Sequence, residues 1–428
     1  MRLLLLTTGY LENNAASVRL SEMVDNFVNH DDIEHIKVVE FAWHLRSSNW
    51  KIKVATSYKV SVTQYRGKLL PPILYATIVP NPVTFFLWFF ITLKEIIQGH
   101  RDTIIVSPPL FFIPIVATYL ACLFGRKPFC VDIRDNWQGS VDSAVESRPF
   151  YIKFMARLLD RATRKITLRA CSKAKLISTP YEAIKHQLEP VCKMPIVIIR
   201  NGINFRELES VKREFDKGRV LSKYRIPYNT NSTFIIYSGS FRDHYKPQIL
   251  FAPLAQVIAE GAKITYIIIG GGEGEEELRR LSTHMKMQGK VFFLGSKNHT
   301  EVLELLLASD LAFYTLSKEY PTPECAMGVK ALEYIACELP VLCVADNNAS
   351  VSQLVNQHQL GICVNCDESE ALVPALLNLL EFRDKYVENI KAYYPAFARE
   401  FDRQGNLDKL YAHMISQIQP SFQKCSAG

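Results

Sequence analysis

Pro321 to Ala345 reads PTPECAMGVKALEYIACELPVLCVA and divides into a turn, a short helix and a buried strand. Pro321 and Pro323 block a helix before it begins, and Gly328 lets the backbone approach whatever lies opposite. From there Val329, Leu332, Ile335 and Ala336 recur at helical spacing and make one buried face. Lys330, Glu333 and Cys337 fall on another. Pro340 stops the helix, and Val341-Leu342-Cys343-Val344 reads as an interior parallel strand, apolar on both faces. A loop that opens a helix presents free N–H groups of Met327, Gly328 and Val329 at a positive dipole end, which suits a diphosphate. Glu333 sits about 1.5 turns in, where a carboxylate could accept both hydroxyls of a ribose or simply face solvent.

Outward from this stretch, apolar runs and helical segments alternate in both directions. Phe234-Ile235-Ile236-Tyr237 leads into SGSFRDHYKP, a strand followed by Gly239 and then basic residues, which is a phosphate-binding arrangement. Ile264 to Ile269 precedes Gly270-Gly271-Gly272, and Val291 to Gly295 and Leu311 to Tyr314 continue the alternation. Towards the N-terminus, Leu3 to Leu6, Ile36 to Phe41, Thr103 to Ser107, Phe129 to Arg134 and Lys175 to Thr179 are further strands. Two βα domains of about 200 residues each follow from the pattern.

KALEYIACELPVL, residues 330–342, resembles the nucleotide-sugar loop of GT-B glycosyltransferases, most closely the retaining family 4. That family usually carries two glutamates eight positions apart, then a helix and a Gly-x-Pro-Val strand. Glu333 matches the second glutamate; the first position falls on Cys325, beside Glu324. Glu338 stands where a helix-terminating glycine is common, at a cost of about 1 kcal/mol if that residue must be left-handed. The resemblance spans nearly all the chain, strongest over 235–365. It implies the GT-B fold: an α/β protein of two Rossmann-like domains facing across a cleft. The expected boundaries are 1–205 for an acceptor domain, 206–232 for a polar linker region and 233–382 for a donor domain. Residues 383–428 would form a helical segment crossing back to the first domain.

The same resemblance implies a glycosyltransferase of the lipopolysaccharide, capsule and exopolysaccharide type. It would use a nucleoside-diphosphate sugar as co-substrate and no cofactor or metal. Relatives have a basic residue just after the glycine and a lysine five on; here Arg242 and Lys246 are the best diphosphate ligands, although the spacing is shifted. Asp132-Ile-Arg134-Asp135-Asn-Trp137 resembles an Asp-x-Arg-Asp-x-Trp of relatives in lipid-linked polysaccharide synthesis, with Asp135 near the acceptor hydroxyl. Asp132 and Arg134 could equally be a structural ion pair. Two other classes stay open: a sugar-nucleotide epimerase or phosphorylase, and a binding subunit weakened at Cys325 and Ala15-Ala16.

Composition bounds the partners. The 428 residues are 48% hydrophobic and 22% charged, an ordinary globular balance. Ten cysteines are scattered, which argues for buried reduced thiols rather than zinc or disulfides. Residues 1–200 hold 26 Lys/Arg against 16 Asp/Glu, so the first half is basic and suits an anionic partner. With no nucleic-acid motif, a membrane surface or lipid diphosphate is favoured. MRLLLLTTGY reads as a first strand rather than a signal peptide, so a cytoplasmic location is expected. That location could be peripheral, on the inner face of the membrane. Val83 to Ile97 and Leu110 to Phe124 are apolar almost all round yet shorter than the roughly 20 residues of a spanning helix. They are either buried Rossmann helices or, for the first, a helix partly inserted in one leaflet. Tyr151 to Arg169 reads as amphipathic, with Phe154, Leu158, Leu159, Ala162 and Ile166 inward and Arg157, Arg161, Arg164 and Lys165 outward. Arg19, in the first turn of the first helix, either binds phosphate or points to solvent.

Overall fold

The computed structural model describes residues 1–7, 15–42, 51–55, 59–66, 82–107, 112–134, 149–241, 244–272, 274–320 and 322–418. The chain divides into two compact units, Met1–Asn201 with Gln404–Gly428, and Gly202–Arg403.

The first unit is built on an eight-stranded sheet, taken here in chain order. Its strands are β1 (Arg2–Thr7), β2 (His35–Ala42), β3 (Lys51–Ala55), β4 (Val60–Arg66), β5 (Thr103–Ser107), β6 (Phe129–Asp132), β7 (Leu176–Thr179) and β8 (Ile196–Ile198). They lie in the order β3-β4-β2-β1-β5-β6-β7-β8, parallel except for the β3–β4 pair. Leu3 to Leu6 are almost fully buried on both faces, as an interior parallel strand demands. The last helix, Arg403–Ile418, belongs to this unit: Leu407, Leu410, Tyr411 and Met414 pack with Leu20, Met23, Val24 and Phe27 in one apolar core.

Helix Pro82–Gly99 is half core and half surface. Trp88 is fully buried, stacked on Phe41 at 3.8 Å and donating to the Thr118 hydroxyl at 3.0 Å. Phe86, Phe90 and Ile97 stay exposed on the same helix. Among the described residues no helix is long and apolar enough to cross a membrane.

Helix Phe150–Cys171 corrects the sequence reading. Among its described side chains the buried ones are Thr163, Thr167, Ala170 and Cys171, whereas Phe154, Leu158 and Ile166 are 57%, 51% and 50% exposed and Ala162 is exposed too; Leu159, also expected inward, lies outside the described side chains. Small side chains let this helix lie close against helix Phe112–Gly125, so Phe154, Leu158 and Ile166, expected on the core face, point outward.

The second unit carries six strands: β9 (Thr233–Ser238), β10 (Ile264–Ile269), β11 (Val291–Gly295), β12 (Leu311–Thr315), β13 (Val341–Val344) and β14 (Gly361–Val364). All are parallel, in the order β11-β10-β9-β12-β13-β14. Residues 206–232, expected as a linker, hold helices Phe205–Glu214 and Lys217–Lys223. Asn204 and Asp216 cap them through side-chain bonds from Glu207 N and Arg219 N, and Leu208, Val211, Val220 and Leu221 enter the core of this unit. Two apolar positions per helix are too few to give a readable period.

Candidate active site

The second sheet reverses its strand order between β9 and β12, and open α/β sheets bind ligands beyond the carboxyl ends of their strands at such a point. Gly239 follows β9 with φ +154, its N–H donating to Ile269 O at 2.9 Å. Gly270, at the end of β10, presses against the Gly239 backbone so closely that any Cβ there would overlap the Gly239 carbonyl. Both positions therefore need glycine. The chain then passes through Tyr245 and Lys246 into a 3₁₀ turn, Pro247–Leu250.

Facing this turn is the N-terminus of helix Val329–Ala336, capped by Gly328. No carbonyl of the described residues accepts from the N–H groups of Met327, Gly328 or Val329. They form a positively polarised end free to meet an anion. Two tyrosines pin the helix there: the Tyr334 hydroxyl accepts from Ser238 N at 2.9 Å, and Tyr314 donates to Ala326 O at 3.4 Å.

Glu333 is 8% exposed, so its carboxylate is desolvated and needs partners. His299 supplies one. Its Nε2 lies 3.0 Å from Glu333 Oε1 and its Nδ1 3.0 Å from Glu207 Oε2. The hydrogen bond to Glu333 is the main cause that raises the His299 pKa to about 9, against the opposing effect of burial, with Glu207 adding to it. At pH 7 His299 is therefore an imidazolium donating from both nitrogens, and it holds one Glu333 oxygen while the other stays free for a ligand. One turn back on the same face, the Lys330 amine lies within a cage of Tyr237, Tyr245 and Tyr314 rings.

In the first unit the carboxyl end of β6 carries a different cluster. Asp132 accepts from Ser178 at 2.7 Å, Arg134 Nε at 2.8 Å, Ser107 at 3.0 Å and Arg19 at 3.3 Å. Burial pushes the Asp132 carboxyl up, but Arg19 and Arg134 more than reverse this and hold it well below the usual carboxylate range. Arg19 is itself 8% exposed and reaches Asn201 Oδ1 at 2.6 Å, so it neither points to solvent nor stands apart as a phosphate ligand. This is a buried structural network, the plainer of the two readings of Asp132 and Arg134.

Of the residues expected at the donor site, the structure brings together Gly239, Met327, Gly328, Val329 and Glu333. Lys246 stands on the same side, half-buried, its side chain without a hydrogen bond or ion pair among the described residues. Arg242, Asp135 and Trp137 lie outside the described residues. Cys325 is buried beneath the helix start. The sequence reading missed three participants. Lys330 shares Glu333's face, a signal that was present. His299 follows the carboxyl end of β11, a weaker one. Glu207 has no local signal, because only the tertiary fold carries it to His299. Among the described residues no three His, Cys, Asp or Glu side chains gather as metal ligands.

Two Rossmann-like domains of this kind define the GT-B class of fold, and solved structures share it over nearly the whole chain. Anabaena Alr3699/HepE in complex with UDP has a TM-score of 0.68 at 15% identity, covering 97% of this chain and 100% of that one. A glycosyltransferase from Rickettsia africae gives 0.65 at 14%, covering 98% and 99%. WaaG, a glycosyltransferase involved in lipopolysaccharide biosynthesis, gives 0.64 at 15%, covering 95% and 98%. At such identities the likeness is one of fold. No curated protein sequence is significantly similar to this chain. Residues 222–394, within the second unit, match the family model of glycosyl transferases group 1, and the protein is a glycosyltransferase.

Proposed function

We propose that this enzyme moves a sugar, with retention of anomeric configuration, from a nucleoside-diphosphate sugar to a hydroxyl of a lipid-linked glycan in cell-surface polysaccharide synthesis. The observation that carries the donor half is the pairing of Glu333, desolvated and oriented by His299, with the open N-terminus of its own helix. A carboxylate for ribose hydroxyls and N–H groups for a diphosphate then lie on one short element. Lys246 and Arg242 add positive charge as the leaving diphosphate gains negative charge, the electrostatic contribution such a transfer needs. That HepE binds UDP and UDP-glucose in the same fold supports a nucleotide-sugar donor.

The acceptor half is supported by the surface of the first unit. Phe86 and Phe90 on one helix, Leu123 and Phe124 on the next, and Phe150, Tyr151, Phe154 and Leu158 on a third are all more than half exposed. These helices are neighbours, and Phe89 meets Phe124 edge-on at 5.9 Å. Exposed Arg157, Arg161 and Lys165, with half-buried Arg164, flank the stripe. Apolar side chains edged by cations suit the headgroup region of an anionic leaflet, on the inner face of the cytoplasmic membrane. In this reading the acceptor hydroxyl sits near Asp135.

Incubation with labelled nucleotide sugars and a membrane extract tests the proposal. Label transferred to a lipid-extractable product supports it. Epimerised free sugar nucleotide, or binding without turnover, would replace it with the epimerase or the binding-subunit reading.

A further inference from the structure

Lys330 is an enclosed amine with no carboxylate in ion-pair contact among the described residues. Its Nζ lies 3.6 Å from the ring centroid of Tyr245 and 5.1 and 5.3 Å from those of Tyr237 and Tyr314. It also occupies the space above the turn after β9, where a Cβ on Gly239 would come within 2.8 Å of it. The groups facing it are three phenols, from β9, β12 and the segment before the 3₁₀ turn, and Glu333 on its own helix. Glu333 is committed to His299, and no described carboxylate pairs with the ammonium. Aromatic faces attract a cation but supply no full counter-charge.

We propose that Lys330 is a further ligand of the donor's diphosphate, and that nucleotide binding at this site draws a proton from solution onto its ε-amine. The inference rests on the donor reading above and adds to it a residue and a proton. A diphosphate seated between the Gly239 turn and the Gly328-capped helix brings negative charge beside the amine. Opposite charge at that range favours the protonated form. Before binding, burial pulls the Lys330 pKa down to about 7, with Glu333 opposing, so near and above neutrality much of the amine is uncharged. Lys330 is thus a cation completed by its ligand, whereas an arginine in its place would already carry its charge.

Titration calorimetry with UDP, GDP, ADP and dTDP, and with the matching nucleosides, tests this at pH 8 in phosphate and in Tris. These two buffers differ widely in ionisation enthalpy. For the diphosphate that binds best, the wild type should show a buffer-dependent enthalpy equal to uptake of most of one proton. Lys330→Met should abolish that uptake and weaken the diphosphate about tenfold or more, as expected for losing a hydrogen bond to a charged group, while nucleoside affinity holds. Retained nucleoside binding shows that the variant is folded, and Lys330→Gln gives the same comparison if Met is not tolerated. Unchanged diphosphate affinity in both variants, or no proton uptake by the wild type, overturns the Lys330 assignment alone. So does uptake that survives Lys330→Met and vanishes in His299→Gln. Failure of the wild type to bind any of the four diphosphates overturns the donor reading and this inference with it.

Discussion

His299 Nε2 and Glu333 Oε1 stand 3.0 Å apart, although 34 positions separate the two residues in the chain. The histidine is thereby kept cationic, and the glutamate is held in place. Glu333→Ala should therefore remove a ribose ligand and leave His299 with Glu207 as its remaining carboxylate partner. Nucleoside-diphosphate affinity is expected to fall about tenfold or more, the equivalent of about 1.5–3 kcal/mol for hydrogen bonds to a charged group. Calorimetric titration of the folded variant checks this, and undiminished binding sinks the assignment.

The same contact makes stability depend on pH. The folded pKa of His299, about 9, lies above its ordinary value of 6.5, so the folded state holds the proton more tightly. Its contribution is fully present below about pH 6.5 and is lost as pH rises through about 9. Thermal melting of the wild type should fall across that window, and His299→Gln should flatten the fall. Because the side chain is 41% exposed, solvent screens the effect and the shift should be small.

Lys246 is expected to act on turnover. Charge on the leaving diphosphate grows towards the transition state, so Lys246→Ala should lower kcat more than it raises the donor KM. Steady-state kinetics with the preferred donor separates the two, and an effect on KM alone marks Lys246 as a ground-state ligand.

Glu338 has φ +60, the left-handed conformation that glycine adopts freely and a glutamate does not. Its carboxylate reaches Lys212 and Lys391 only at 3.9 Å, partly exposed contacts of little value. Glu338→Gly should stabilise the second unit by up to about 1 kcal/mol, visible as a raised Tm in calorimetry. A lowered Tm would mean that the ion pairs outweigh the backbone strain.

The apolar stripe of the first unit predicts flotation with anionic liposomes at low salt and weaker flotation at high salt. Replacing Arg157, Arg161, Arg164 and Lys165 together by glutamine should reduce it, and replacing Phe90 and Phe154 by serine should reduce it further. If the wild type stays at the bottom of the gradient, a soluble acceptor replaces the lipid-linked one.

The donor side of the molecule was legible in its sequence because its signals are local. Proline, glycine and a 3.6-residue period within twenty-five positions define turn, helix and strand, and place Glu333 on the helix. Glu338 was legible too, as the wrong residue type for a helix end. What stayed hidden depends on distant partners. Glu207 meets His299 only because two short helices fold onto the second sheet. Arg19 is buried only because Asp132 and Asn201 converge on it. The face of helix Phe150–Cys171 was misread because periodicity finds an apolar stripe without revealing which side the protein covers, and here Thr163 and Thr167 face inward instead.

The last helix has a consequence for how the protein is made. The first unit needs Leu407, Leu410, Tyr411 and Met414 to cover Leu20, Met23, Val24 and Phe27, yet the whole of Gly202–Arg403 is translated in between. At about 5–20 residues per second, those roughly 200 residues keep the groove waiting for about 10–40 s on the ribosome. The second unit, contiguous in the chain, can finish folding before the first is complete. A nascent chain stalled near residue 400 should therefore present an uncovered apolar groove to chaperones, which full-length release then removes.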